Sequence, residues 1–280
     1  MYTLIGLWPP HPGLERFRVA WTDRLGGVST GPFASLNLSL AVGDERRRGI
    51  LNRRRVCVAL GLPPTNTVWC DQNGDGKVRV VQPSDLGRGL TDAAEAIPNC
   101  DGMIAALADF APEQPGGVRD SFGLALLAAD DLMLALVDPV AGVGGVFHFG
   151  WRDCLAGGPD LAVEALLARG ANPAALRGFA APHACSDRLE VPDDLRLQCK
   201  EKYGLWTDML FRPAGSRKVL FDLQGLVVAR LTAAGMPPAH LISSLECTIS
   251  RTDLLFSESH ARKAGHSTGR QGLFLVFDPA

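Results

Sequence analysis

The sequence predicts a single domain of mixed α and β structure, of α/β or α+β class, over residues 1–280. Two observations favour this class. Segments with strand and helix patterns alternate irregularly, and the polar motifs stand where apolar strands end. Stretches rich in Pro, Gly and charge are too short to be linkers between domains. With 280 residues, 46% of them hydrophobic, the chain is long enough to bury a sizeable core.

Composition limits the possible partners. The net charge of −2 does not favour nucleic acid or an anionic membrane, and no apolar stretch reaches the roughly 20 residues of a membrane span. The seven cysteines are scattered, without a C-x-x-C pair. Their odd number, and the lack of a recognisable signal peptide, predict a cytoplasmic protein with free thiols. We expect a small-molecule ligand and no nucleic acid or membrane, and the sequence predicts no particular oligomeric state.

The hydrophobic patterns and the glycines that interrupt them predict the elements in chain order. Strands are expected at 17–22, on both sides of a Gly-rich turn within 68–78, and at 122–129, 143–148, 176–181, 241–246 and 272–277. Helices are expected from Asp44, which would cap the first of them, to Leu60, and at 159–169, 193–203 and 222–234. Segments 82–92 and 107–120 are predicted surface loops. We expect the strands at 122–128 and 143–148 to lie side by side.

Polar residues end two of the predicted buried strands. The run from Val143 leads into His148, with Arg152 shortly after, and the run from Phe122 ends in the pair Asp130 and Asp131. Isolated carboxylates at the mouth of a core strand are costly to desolvate and usually have a partner. His148 is the candidate partner. The alternative is a core histidine with satisfied hydrogen bonds and two solvated aspartates.

A glycine-rich segment near the start offers a possible anion site. Arg24 is followed by Gly26 and Gly27, and its planar guanidinium suits an anion. The alternative for Arg24 is a structural ion pair. Alternating Asp and Asn within 71–75 are similar to a calcium loop, but the distal glutamate is missing, so no calcium site is predicted.

A set of motifs resembles the polyphenol-oxidase/laccase-domain family, also called YfiH-like or multicopper-oxidase type 4. The motifs follow one another in the family's order: Trp21–Leu38, Val42-Gly-Asp44, His148-Phe-Gly-Trp-Arg152, Cys247-Thr248 and Thr268-Gly-Arg270. The resemblance implies a single α+β domain folded as an α/β/β/α sandwich. It also implies activity on purine nucleosides, by phosphorolysis or deamination, with a zinc ion.

The chain departs from the resemblance at the implied zinc ligands. A His in Gln-Val-His-Gly and a Cys in Thr-Ala-Asp-Cys correspond here to Gly74 and Asp131, and only His148 remains of the three. A zinc site normally needs three protein ligands. We therefore predict no metal and no cofactor. Ser259 and His260 also replace paired arginines that would suit a phosphate.

Our first hypothesis is a metal-independent enzyme of specialised metabolism. Asp131 and His148 would form a general acid/base pair, because a carboxylate beside an imidazole raises the imidazole pKa and selects its tautomer. The reaction would be a cyclisation, isomerisation, elimination or hydrolysis of a small molecule. The predicted substrate-binding residues are Arg24, Arg152, His183, Cys185, His260 and Arg270.

Three alternatives stay open. The chain could be a purine nucleoside phosphorylase or deaminase, as the resemblance implies. It could be a pseudoenzyme that binds a small molecule or a protein without turnover. It could also have a rebuilt metal triad of Asp131, His148 and either His183 or Cys185, because carboxylate and imidazole donors suit zinc or iron.

Overall fold

The computed structural model describes residues 13–110, 120–215 and 217–278. Its strands are β1 (Phe17–Trp21), β2 (Thr67–Trp69), β3 (Val78–Val80), β4 (Gly102–Ala106), β5 (Phe122–Ala128), β6 (Leu132–Asp138), β7 (Val143–Phe149), β8 (Arg177–Ala180), β9 (Glu190–Pro192), β10 (Phe211–Pro213), β11 (Lys218–Phe221), β12 (Leu241–Ser243) and β13 (Gln271–Phe277). Its α-helices are α1 (Arg46–Ala59), α2 (Trp151–Ala156), α3 (Gly158–Leu167), α4 (Asp194–Tyr203), α5 (Leu223–Ala233) and α6 (Glu258–Ala264).

Two sheets form the centre of the fold. One has four strands in the order β1-β13-β5-β2, and the other has six in the order β12-β8-β6-β7-β4-β3. Buried side chains from both sheets belong to one hydrophobic cluster, which includes Leu124 of β5, Met133 of β6, Val146 of β7 and Leu275 of β13. The two sheets therefore pack face to face.

Helices cover the outer face of each sheet. Cys154 of α2, Leu166 of α3 and Leu226 of α5 pack with outward-facing residues of the six-stranded sheet. Val56 of α1 belongs to a separate cluster with Phe274 of β13, on the outer face of the four-stranded sheet. A small three-stranded sheet, β10-β11-β9, packs with the helices that cover the six-stranded sheet. The predicted α+β fold, an α/β/β/α sandwich, is confirmed.

Strand β6 explains why the central segments look uniformly apolar in sequence. Successive side chains of a strand point to opposite faces. Leu132, Leu134 and Leu136 pack towards the helices, whereas Met133 and Ala135 pack between the sheets. Because both faces are buried, the alternation of polar and apolar residues disappears.

Two expectations about strand pairing and capping are wrong. Strands β5 and β7 do not lie side by side: β5 pairs with β13 and β2, and β7 pairs with β4 and β6 in the facing sheet. Asp44 does not cap α1, whose N-cap is Glu45. Its Oδ2 instead accepts hydrogen bonds from the Ser29 hydroxyl (2.6 Å) and the Asn37 amide (2.9 Å).

The segment around the Gly-rich turn at 68–78 also differs in detail. Its two strands form, but β2 lies in the four-stranded sheet and β3 in the six-stranded one, so the turn carries the chain from one sheet to the other. The predicted loop at 107–120 begins with a 3-10 turn, Leu107–Phe110, and its residues 111–119 lie outside the described part. Within the described residues, no helix is long and apolar enough to cross a membrane.

Candidate active site

A cavity of about 360 Å³ lies where the ends of β2, β5 and β7 meet the residue before β13. Asp131 and His148, the predicted acid/base pair, both form part of its wall. Ionisable and polar side chains make up much of the remaining lining: Arg53, Cys70, Asp71, Gln72, Glu258 and Arg270. The cavity is within the size range of small-molecule sites.

The pairing of β6 with β7 brings Asp131 to His148. Met133 is opposite His148 in this antiparallel pair, and Asp131 stands just before β6 begins. His148 Nε2 lies 3.4 Å from Asp131 Oδ2, which confirms the predicted proximity. The His148 side chain is 12% exposed and that of Asp131 is 42% exposed. The catalytic roles of these two residues stay a prediction.

A second carboxylate contacts the other ring nitrogen of His148. Asp153, in the first turn of α2, places Oδ2 3.2 Å from His148 Nδ1. The same oxygen accepts a 2.6 Å hydrogen bond from the backbone N–H of Gly150. A Cβ at Gly150 would lie 3.1 Å from both Asp131 Oδ1 and Asp153 Oδ2, so a larger residue here would press on both carboxylates. His148 is therefore held between two carboxylates.

The two carboxylates determine the charge on the ring. Burial lowers the pKa of His148, but the adjacent Asp131 and Asp153 carboxylates outweigh burial and raise this pKa to about 10. Burial raises the pKa of Asp131, but His148, Arg270 and Arg152 outweigh it and leave this pKa below its usual value. At neutral pH, His148 is thus an imidazolium and Asp131 a carboxylate.

A third carboxylate, Asp101, supports the loop beside this pair. Its Oδ1 accepts from the backbone N–H of Gly74 (3.0 Å), and its Oδ2 accepts from those of Asp75 (2.8 Å) and Gly76 (3.0 Å). The Asp101 Oδ1 atom lies 4.0 Å from His148 Nδ1. Burial raises the pKa of Asp101, although the N–H groups of Gly74 and Gly76 oppose the shift. Asp101 therefore connects the turn between β2 and β3 to the histidine.

Replacing Asp101 by alanine is expected to lower the free energy of unfolding by about 2–4 kcal/mol. Three backbone N–H groups would lose a charged acceptor, and hydrogen bonds to charged groups contribute about 1.5–3 kcal/mol each before compensation by water. Chemical denaturation would measure the loss. Asp187→Ala is the control, because that side chain is 72% exposed, and it should change stability by about 0.5 kcal/mol or less. Equal stabilities of the two variants would contradict this role of Asp101.

The neighbouring Asp130 has a different role from Asp131. It is buried, with a positive φ of 93°. Its Oδ1 accepts from the Thr248 hydroxyl and its Oδ2 from the backbone N–H of Ser259, both at 2.6 Å. Asp130 thus joins the start of β6 to the segments before and within α6, whereas Asp131 faces the cavity.

Of the predicted substrate-binding residues, Arg270 lines the cavity. Its guanidinium forms a 2.9 Å ion pair with Glu258, which also lines the cavity. Arg152 is exposed and lies over the ring of Trp151, 4.0 Å from the ring centroid, and it is not part of the lining. Its charge still contributes to the low pKa of Asp131.

Four other predicted residues do not line this cavity. Arg24 donates to the carbonyls of Ala34 (2.8 Å) and Thr252 (2.7 Å), and its guanidinium lies over the ring of Phe256. The buried His183 lies with Nδ1 3.0 Å from the Ala181 carbonyl. Cys185 contacts Cys247 through its backbone N–H, and His260 is exposed on α6. Their predicted roles in substrate binding stay predictions.

The sequence analysis assigned no site role to Asp153, Asp101 or several lining residues. One signal was available for Asp153: it stands three residues after Gly150 at the start of a helix, which is the spacing of a capping box. Arg53 and Trp69 line the cavity with the arginine stacked on the indole, 4.0 Å from the ring centroid. No motif in the sequence indicates that contact.

The fold and this site define a laccase-domain protein. The profile of the family described as multi-copper polyphenol oxidoreductase laccase matches residues 18–278, and the chain belongs to that family. Purine nucleoside phosphorylase ORF3 of Streptomyces griseus is 35% identical over 89% of this chain and 92% of its own length. Purine nucleoside phosphorylase YlmD of Geobacillus stearothermophilus is 33% identical over 91% of this chain and 88% of its own length.

Solved structures show the same fold. The Bacillus licheniformis hypothetical protein YfiH superposes with a TM-score of 0.84 at 26% identity, over 94% of this chain and 93% of its own. YlmD from Geobacillus stearothermophilus also superposes with a TM-score of 0.84, at 29% identity, over 96% of this chain and 94% of its own. The family assignment from the sequence motifs is therefore confirmed.

The residues present do not fit the zinc site that the resemblance implies. Gly74 offers no side-chain donor, and Asp131 and Asp153 contact opposite nitrogens of His148. Among the described residues, the one group of three possible donors within 4.8 Å of one another is Asp101, His148 and Asp153. It contains no thiol or second imidazole, which are the donors that zinc and copper favour. The alternative triad of Asp131, His148 and either His183 or Cys185 does not form among the described residues, because neither His183 nor Cys185 belongs to this group.

Proposed function

We propose that this chain is an enzyme that performs metal-independent acid–base chemistry on a small polar molecule. The proton-transfer pair is Asp131 and His148. The observation that carries the proposal is their 3.4 Å contact in the wall of the cavity. The names of the relatives, which are those of enzymes, support catalysis in general.

The charge states define the role of each residue. The Asp131 carboxylate, partly exposed to the cavity, is the group that can accept a proton from the substrate. The His148 imidazolium can donate a proton, or stabilise negative charge that develops on a carbonyl or leaving group. A base and an acid on one side of a ligand can catalyse isomerisation, cyclisation, elimination or hydrolysis. We place the reaction in this group.

The cavity favours a ligand with both donors and acceptors. The Gln72 amide is occupied by the backbone of Leu127, at 2.8 and 2.9 Å, and so fixes one wall. Asp71 and the Arg270–Glu258 pair add charges of both signs to the lining. A strongly anionic substrate is therefore less suited to the cavity than a neutral, polar one.

Purine nucleoside phosphorolysis is the second candidate function. The observation in its favour is the 35% identity to a protein of that name over 92% of its length. The sequence opposes it, since Gly74 and Asp131 replace two implied zinc ligands and Ser259 and His260 replace the paired arginines. Zinc activates water or polarises a substrate only from a complete site.

A substrate screen distinguishes the two functions. Adenosine, inosine and guanosine would be incubated with the protein, with and without phosphate, in EDTA or in added zinc. We expect negligible release of base or ammonia in every condition. The screen would also include the metabolic intermediates that enzymes encoded by neighbouring genes make or consume. We expect turnover of one of these compounds instead. Robust phosphate-dependent release of base from any purine nucleoside would make phosphorolysis correct, and binding without turnover would favour the pseudoenzyme.

A further inference from the structure

Gly74 and the Asp153 side chain lie next to each other. A Cβ added to Gly74 would lie 3.6 Å from Asp153 Oδ1, so a longer side chain at this position would meet the carboxylate. Gly74 also has a positive φ of 78°, which disfavours other residues. The Asp153 carboxylate therefore lies in the space in front of Gly74, and from there it reaches His148.

Asp153 is almost fully buried, yet only one of its two carboxylate oxygens accepts a hydrogen bond. The residue is 1% exposed, and within the described residues its Oδ1 has no hydrogen-bond partner. His148 Nδ1 also lacks a hydrogen-bond partner there, so its contact with Asp153 is an ion pair at 3.2 Å. The Asp153 Oδ2 atom is used twice, by the backbone N–H of Gly150 at 2.6 Å and by this ion pair. Burying a carboxylate is costly unless it is paired. The group that Asp153 pairs with is the His148 ring, whose Nδ1 lies 3.2 Å from Asp153 Oδ2.

We propose that Asp153 is a positioning residue for His148. Its carboxylate holds the ring from the Nδ1 side, so that Nε2 faces Asp131 and the cavity. Asp153 is 1% exposed and does not line the cavity, so we do not expect it to contact a substrate bound there. The ring is then held by an Asp131–His148–Asp153 clamp, with a carboxylate at each nitrogen, as outer carboxylates orient functional histidines elsewhere.

A metal ion is the competing explanation for the same cluster. Asp101, His148 and Asp153 could bind one through Nδ1, and the unpartnered Asp153 Oδ1 would then be a ligand atom. The Asp101 carboxylate already accepts three backbone N–H groups, which reduces its value as a ligand. In the clamp, Nδ1 carries a proton, whereas in a metal site the same nitrogen must be deprotonated.

Nuclear magnetic resonance of ring-¹⁵N histidine tests the clamp directly, with His148→Gln used to assign the signal. At pH 7.5 in EDTA we expect a protonated Nδ1 on His148 in the wild-type chain. Asp153→Asn keeps the shape and the bond to Gly150 but removes the charge. We expect it to accelerate exchange of the Nδ1 proton about tenfold or more, the factor for loss of about 1.4 kcal/mol. Asp160→Asn, in the first turn of α3, is the matched control and should behave as wild type.

Two results would overturn the proposal. An unprotonated Nδ1 in the wild-type chain would do so even if the Asp153 variant does not fold. Titration with zinc or manganese alone that shows one equivalent bound, and lost in Asp153→Asn, would make Asp153 a ligand instead. These measurements need no substrate, so they are independent of the proposed function.

The kinetic arm of the test rests on the proposed function. On a validated substrate, Asp153→Asn should lower kcat by about 10- to 100-fold, the usual effect of losing a carboxylate that orients a histidine. KM should change little, since Asp153 does not contact the ligand. An unchanged kcat beside a normal loss in His148→Ala would overturn the positioning role alone.

Discussion

Replacing His148 by alanine is expected to lower kcat by about 10²- to 10⁴-fold, the usual contribution of a positioned general acid or base. The substitution removes the only imidazole that lines the cavity within the described residues. It also leaves Asp131 and Asp153 facing each other across Gly150 without the cation between them. Steady-state kinetics on a substrate found by the screen would measure the effect.

His240→Ala is the control for this variant. His240 stands just before β12, the edge strand of the six-stranded sheet, and does not line the cavity. Its replacement should leave kcat within about twofold of wild type, since it has no part in transition-state stabilisation. Full activity of folded His148→Ala would show that the proton-transfer pair is wrong, and attention would move to His260, His183 and Cys185.

Asp131→Asn is expected to cost a large share of the same factor, again about 10²-fold or more. Asparagine keeps the size of the side chain, but it cannot accept a proton as the carboxylate does. It also removes one of the two charges that raise the pKa of His148. The predicted loss is in kcat, because Asp131 acts on the reacting atoms in this proposal.

The adjacent Asp130→Asn provides the contrast. Asp130 binds Thr248 and the backbone of Ser259, so its replacement should lower stability but leave kcat of the folded protein unchanged. Two neighbouring aspartates would then separate a structural effect from a chemical one. Equal kinetic losses in both variants would contradict the division of roles between them.

Sequence reasoning could predict the fold and the meeting of Asp131 with His148 because both followed from motifs in their family order. It could not predict the strand pairing. Strands β5, β6 and β7 are all buried and apolar, so their patterns carry no information about which strand lies beside which. The expected pairing of β5 with β7 failed because no strand was predicted at the position of β6: β6 lies beside β7, and β5 belongs to the facing sheet.

The composition of the site was harder to predict than its centre. Asp153 reaches His148 because α2 starts immediately after β7 and turns its first carboxylate back on the strand end. Asp101 reaches the same ring from the position just before β4, which pairs with β7. Arg24 and His183 were chosen for their chemistry, but nearby backbone carbonyls occupy their polar atoms. Residue type alone does not show which groups are already satisfied.

The most direct test of the account is a double-mutant cycle of His148→Ala and Asp131→Asn, with kcat measured in EDTA on protein depleted of metal. We predict that the wild-type rate persists in EDTA and that the double variant loses much less than the product of the two single losses, because each residue maintains the charge of the other across their 3.4 Å contact. Either of two results would contradict the account. One is a wild-type rate that disappears in EDTA and returns with one equivalent of zinc. The other is a loss of kcat in the double variant equal to the product of the two single losses.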